Sequence, residues 1–232
     1  MPVFNAASSD APLFVSPHLD DAVFACGELI TSSPRSTVVT VFAGRPPAGT
    51  RLAAWDADAG FAEGDDVIGA RREEDREAMA ALGARALWLD FCDDQYGVPA
   101  EGDAIENALS SLLASGAFAA VYFPLGLFHS DHARASDATL AVATRFAALP
   151  FIAYEDALYR RIPDLVERRL AHIASLGYAV TPMAVSVDRA AAHRKRDAVA
   201  CYRSQIRALA TRRGHADAFE PERYWRVQSG RA

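Results

Sequence analysis

Two short clusters in this chain hold residues that could do chemistry together. His18-Leu19-Asp20-Asp21 places one imidazole and two carboxylates in a row of four. His129-Ser130-Asp131-His132 places two imidazoles three apart, with a carboxylate between them. A spacing of three lets a tight turn or a first helical turn aim both outer residues at one point. His18 and Asp21 would then offer two metal ligands and leave Asp20 as a spare carboxylate to act as base. If His132 joins them, the set is two histidines and one carboxylate. With water in the open position that set suits zinc. It suits ferrous iron as well, so ligand type leaves the metal open. Each residue also has a plainer reading. A lone histidine after a strand is often a packing residue, and Asp20, Asp21 or Asp131 could simply cap the helix that follows.

The elements around the clusters place both at strand ends. An apolar run, Pro12 to Val15, leads into His18, and a helix-like run from Ala22 to about Ile30 follows. The second cluster follows a strand over Ala119–Phe123 and opens a helix reaching about Ala148. Further strands are read at Val38–Phe42, Ala86–Leu89 and Phe151–Tyr154. Helices are read at 67–82, closed by Gly83, and at 104–114. The Arg-Arg-Glu-Glu-Asp-Arg-Glu run of the first of these, from Arg71, reads as an exposed face. Strands alternating with helices imply right-handed βαβ units and a mainly parallel, Rossmann-like α/β sheet flanked by helices. In such sheets ligands bind outside the carboxyl ends of the strands, where both clusters fall. Residues 43–66 are too long for a mere connection and read as a lid or a short extra helix around Trp55. After Tyr154 the pattern is less regular: a helix at 165–175, a strand at 180–187 interrupted by Pro182, a long helix at 189–209, and a last strand at 219–227 near an edge of the sheet. One domain over 1–232 is expected, with a core of 11–155 and an extension of 156–232.

The bulk properties exclude several classes. The chain has 232 residues, 51% hydrophobic and 23% charged, with a net charge of −6. Phosphate backbones need a basic surface, so nucleic acid is not an expected partner. The short run Arg194-Lys195-Arg196 reads as a solvated helix face. No apolar stretch is long enough to span a membrane, and residues 1–10 do not read as a secretory signal. Cys26, Cys92 and Cys201 form no C-x-x-C pair, which suits a reducing, cytoplasmic setting. No Gly-x-Gly-x-x-Gly or Walker pattern follows a strand, which weighs against a non-catalytic nucleotide-binding domain.

With the motifs in view, the chain resembles the PIG-L/LmbE family of metal-dependent N-acetylglucosamine deacetylases. That family carries His-Pro-Asp-Asp after its first strand and His-x-x-His after a later one. Arg71-Arg72-Glu73-Glu74 leading to Leu82-Gly83, Tyr154-Glu155-Asp156 followed by Tyr159, and Tyr202-Arg203-Ser204-Gln205 resemble three further family segments. Two departures are Leu19 in place of the proline and Ala22 where many members have glutamate. The resemblance implies Zn2+ bound by His18, Asp21 and His132, with Fe2+ or another divalent metal as the alternative. It implies Asp20 as general base, and His129 stabilising the oxyanion or protonating the leaving amine. It implies Asp131 orienting one of the histidines, with Arg72 and Asp93 near the sugar; Asp94 could exchange roles with Asp93. The expected reaction removes an N-acyl group, most simply acetyl, from a small-molecule amino sugar or its conjugate. A metal-dependent amidase acting on a non-sugar substrate is the alternative. Trp55, Phe61, Tyr96, Tyr154 and Tyr159 are the aromatics expected at the mouth of the site.

Overall fold

Apolar β-branched runs bounded by turns build the frame. The computed structural model describes residues 11–100, 103–116, 118–187, 189–212 and 214–230. The strands are β1 (Ala11–Ser16), β2 (Thr37–Thr40), β3 (Arg85–Trp88), β4 (Phe118–Pro124), β5 (Phe151–Tyr154), β6 (Tyr178–Met183) and β7 (Tyr224–Ser229). They form one sheet in the order β3-β2-β1-β4-β5-β7-β6. The first five are parallel; β7 runs antiparallel to β5 and to β6. The chain winds outward from β1 through β2 to β3, then returns to place β4 on the other side of β1. That reversal makes the gap between β1 and β4 the switch point, the crevice that open α/β sheets use for ligands.

The helices are α1 (Asp21–Ser32), α2 (Ala54–Asp58), α3 (Val67–Leu82), α4 (Ala104–Ser115), α5 (Ser130–Ala143), α6 (Leu165–Ser175), α7 (Arg189–Cys201) and α8 (Arg203–Ala210). Side chains alternate across a strand, so β1 feeds both faces. Leu13 and Val15 pack with Leu109 and Leu112 of α4 and Leu140 of α5. Phe14 packs with Phe24 and Ile30 of α1, Met79 of α3 and Val199 of α7. Each such buried aliphatic or aromatic side chain contributes about 1.5–3 kcal/mol. None of the described helices is long and apolar enough to cross a membrane.

Helix α3 spans 67–82, as its sequence pattern predicts. Asp66 accepts from the Gly69 amide at 3.0 Å at its start, and Gly83, at φ 69°, ends it in the left-handed region. Its charged run is only in part the exposed face expected of it, through Glu73, Arg76 and Glu77. Arg71, Glu74 and Asp75 are buried on the same stripe as Ala78, Met79 and Leu82. Asp75 and Glu74 find partners in Trp88 of β3 and in the residues that open α8. Tyr202 Oη donates to Asp75 Oδ1 at 2.7 Å, and Trp88 Nε1 donates to Asp75 Oδ2 at 2.7 Å. The amide and hydroxyl of Ser204 donate to Glu74 at 2.9 and 2.6 Å.

This lock corrects the single helix expected over 189–209. The chain leaves helical geometry at Tyr202 (φ −82°, ψ 59°), whose ring is driven inward, and Glu74 then satisfies a buried amide that has no intrahelical partner at the start of α8. Three smaller differences have simple causes. Lys195 is buried rather than solvated, because Glu222 meets its Nζ at 2.8 Å. Strand β6 keeps Pro182 inside it, which an edge strand tolerates, and stops at Met183 rather than Val187. Helix α5 ends at Ala143, short of Ala148, after which Arg145 and Phe146 donate to carbonyls three residues back in a tight turn.

Candidate active site

Strand β1 ends at Ser16, and its last hydroxyl shapes the turn that follows. Ser16 Oγ donates to the His18 carbonyl at 2.6 Å and accepts from the Ala22 amide at 3.0 Å. It thus does the work of a helix cap for α1. Asp20 occupies the capping position but its side chain makes no capping bond. A carboxylate that is buried and not capping is free for other work.

His18 and Asp21 meet as their spacing predicts. Asp21 Oδ2 lies 2.9 Å from the His18 amide and 3.1 Å from His18 Nδ1. From across the switch point, His132 in the first turn of α5 brings its Nε2 to 3.1 Å from the same oxygen. Ligand atoms of His18, Asp21 and His132 all lie within 4.8 Å of one another. The outer nitrogen of each imidazole rests on another carboxylate: His18 Nε2 on Asp131 Oδ2 at 3.1 Å, and His132 Nδ1 on Asp156 Oδ1 at 2.6 Å. Such backing fixes the ring and the tautomer and turns a bare nitrogen inward, as metal-ligating histidines require. The donor set therefore fits a divalent metal. His18, His129 and Asp131 form a second group within the same distance, sharing His18.

The charges in this cluster perturb one another. Burial and then the neighbouring Asp21 charge push the Asp20 carboxyl up to about 8, although His18, His132 and Arg71 pull it back. Burial works against charge on Asp21 as well, but His132 and His18 hold it well below the usual carboxylate range. Burial disfavours the His132 cation, yet Asp21 and Asp156 outweigh it and lift that imidazole to about 9. His129 is lowered, by burial and by its two histidine neighbours. Its Nδ1 accepts from the Asp131 amide at 3.2 Å, so a neutral His129 carries its proton on Nε2.

The remaining residues singled out by sequence divide into two sets. Asp93 faces the cluster, with Oδ2 3.7 Å from His18 Nε2, while Asp94 accepts from Ser130 Oγ at 2.9 Å and donates its amide to Asp131. Arg72 is held away from the cluster. Its guanidinium donates to the Ala43 carbonyl at 2.7 Å and to Asp90 Oδ1 at 2.7 Å, and it lies over the Trp88 ring. Its neighbour Arg71 turns inward instead, with Nη2 2.8 Å from Asp56 Oδ1, and its charge reaches Asp20. Two of the aromatics expected at the mouth are engaged with the frame instead. Tyr154 is fully buried and donates to the Val15 carbonyl at 2.8 Å, and Trp55 Nε1 donates to Gln205 at 2.7 Å. Sequence reading assigned no role to Ser16, Arg71 or Asp156. Arg71 was marked by a charge on the apolar stripe of α3, and Asp156 by an acid just beyond the carboxyl end of β5.

A spare buried carboxylate beside two backed histidines and a second acid suits the hydrolysis of an unreactive bond, and relatives narrow that class to amide hydrolases that use a metal. The family model described as PIG-L: GlcNAc-PI de-N-acetylase matches residues 13–143, more than half of the chain. The chain belongs to that family. Among solved structures, the A40926 pseudoaglycone deacetylase Dbv21 is 27% identical, with a TM-score of 0.78 over 97% of this chain and 100% of that one. The zinc inhibited form of teicoplanin deacetylase Orf2 is 23% identical, with a TM-score of 0.75 over 94% and 97%. A deacetylase–teicoplanin complex is 22% identical, with a TM-score of 0.73 over 94% and 98%. The last two carry a likeness of fold alone. Among curated proteins, none matches the chain.

Proposed function

We propose that this protein is a zinc-dependent N-deacetylase acting on an N-acylated amino sugar or its conjugate, with 1–232 working as one domain. The observation that carries the reading is the convergence of His18, Asp21 and His132 beside a buried Asp20 that caps no helix. The family's description as a GlcNAc-PI de-N-acetylase and the 27% identity to a pseudoaglycone deacetylase point to a sugar conjugate as substrate. Three free cysteines suit a reducing, cytoplasmic setting.

In this reading His18, Asp21 and His132 hold the metal, and Asp131 and Asp156 keep the two rings in place. When bound, the ion supplies a Lewis acid that polarises the amide carbonyl and lowers the pKa of water. Asp20 takes the proton of the attacking water as its oxygen adds to the carbonyl carbon. Its affinity for protons, raised by burial, matches that task; a cation beside Asp21 would bring it down towards neutrality. His129 faces the same space, its ring centroid 5.1 Å from that of His18. Its Nε2–H is available as a hydrogen bond to the oxyanion, and the proton that Asp20 took from water passes to the amine as the C–N bond breaks. The products are a carboxylate and a free amino sugar. Asp93 accepts a substrate hydroxyl. Arg72 would have to leave Ala43 and Asp90 to donate to a sugar oxygen, and Arg71 is the arginine whose charge reaches the reacting groups.

The test is release of free amine from N-acetylated amino sugars and glycopeptides, with and without chelator, followed by reloading with zinc, ferrous iron and other divalent ions. One of the similar structures is a zinc inhibited form of its enzyme, so the panel must separate activation from inhibition by zinc. Amine release from simple amides but from no sugar would favour the non-sugar amidase reading.

A further inference from the structure

Phe128 is the most exposed of the large hydrophobic side chains among the described residues, at 69%. It also has a backbone conformation that bulky residues avoid, with φ 63°. The His129 amide donates to the Leu127 carbonyl at 2.7 Å, closing a three-residue turn around Phe128. With positive φ at its centre, that is the rare and strained form of the γ-turn. The turn is held from below: Asp156 Oδ2 accepts the amides of Gly126 and Leu127 at 2.9 and 3.0 Å, while its other oxygen holds His132. One carboxylate therefore sets both a ring of the cluster and the aim of Phe128.

Strain at Phe128 opposes folding and its exposure forfeits the gain that burial would give, and outliers of this kind concentrate where a ligand is met. The ring is not loose. It stacks on Tyr159 at 5.2 Å between centroids and 28° between planes. Tyr159 in turn meets His132 edge-on, at 5.2 Å and 78°. One face of Phe128 thus lies on Tyr159 and the other is open to solvent, one residue from His129. An open aromatic face at the rim of a site recognises a flat group with an apolar side. The carbon–hydrogen face of a pyranose has that shape, whereas a long acyl chain calls for an enclosed channel.

We infer that Phe128, backed by Tyr159, is the ledge on which the sugar ring of the substrate stacks, and so determines specificity; this rests on the function proposed above. The probe is methyl β-glucosaminide, an amine product that the metal-loaded protein binds without turnover. Saturation-transfer NMR should show ring protons H1, H3 and H5, which share one face, saturated by the parent and by F128Y but not by F128A. In kinetics with methyl N-acetyl-β-glucosaminide, F128A should raise KM about tenfold, about 1.4 kcal/mol, and change kcat less than about twofold. F128Y should restore KM. N-acetylglycinamide, which has no ring, should show no such rise. Ring saturation equal in F128A and parent, or absent from the parent, overturns the ledge. So does an equal KM rise on the ringless amide, or one that grows with acyl length. The NMR arm needs no turnover, so a parent that stacks the sugar but releases no amine would refute the deacetylase reading and leave the ledge standing.

Discussion

Replacing Asp20 by asparagine separates the proposed base from the proposed ligands, because it keeps the volume and removes the ionisable oxygen. The structure also sets a magnitude for stability. Burial and the Asp21 charge raise the Asp20 carboxyl from 3.8 to about 8 in the metal-free protein. Its protonated form is thus favoured by folding: that stability is whole below the unfolded value and is lost as pH rises through about 8. At pH 7 the lost part is about three units at ~1.4 kcal/mol each, on the order of 4 kcal/mol. Asparagine never ionises, but a buried amide lacking partners costs about 1–3 kcal/mol. Asp20→Asn should therefore stabilise chelated protein by about 1–3 kcal/mol at pH 7 in urea unfolding, an advantage that disappears towards pH 4. In the metal-loaded enzyme the same variant should lose about 10²–10⁴-fold in kcat, the usual worth of a positioned base, with metal content at the parent level. Parent-like turnover would remove Asp20 from the base role. Loss of metal would make it a ligand, and a variant less stable than the parent at pH 7 would refute the electrostatics.

Other perturbations reach the ligands, their backing carboxylates and the buried helix contacts. His18→Ala should lose both bound metal and activity, read by metal analysis and amine release. Asp156→Asn weakens the 2.6 Å contact that orients His132 and should lower metal affinity about 10–100-fold in a chelator competition. Tyr202→Phe leaves buried Asp75 with Trp88 alone and should cost about 1–3 kcal/mol in urea unfolding, without altering bound metal.

Much of the frame was legible because its patterns are local. Helix α3 carries its own cap residues, and the runs of β1, β2 and β5 are apolar enough to read directly. The two clusters were legible because strand ends can be recognised and the sheet places them together. What was not legible depends on contacts distant in sequence. Tyr202 breaks a helix-like stretch because Asp75 and Glu74, more than a hundred residues earlier, reward the break. Lys195 sits in a basic run and is buried only because Glu222 returns to it. Arg71 and Arg72 are adjacent, and the resemblance alone favoured Arg72; the phase of the apolar stripe through Ala78 and Leu82 selects Arg71 as the buried one. Asp156 was visible as an acid beyond β5, but its double duty towards His132 and the turn at Phe128 needs coordinates.

Whether amine release depends on one ion held by His18, Asp21 and His132 is decided by metal analysis combined with an activity assay. Parent protein, chelated and then reloaded with one equivalent of a divalent ion, is assayed on N-acetylated amino sugars. Amine release should cease after chelation and recover on reloading, and the single bound ion should be lost when His18, Asp21 or His132 is replaced by alanine. Amine release that survives chelation, or a bound ion indifferent to all three replacements, would contradict the metal-dependent mechanism.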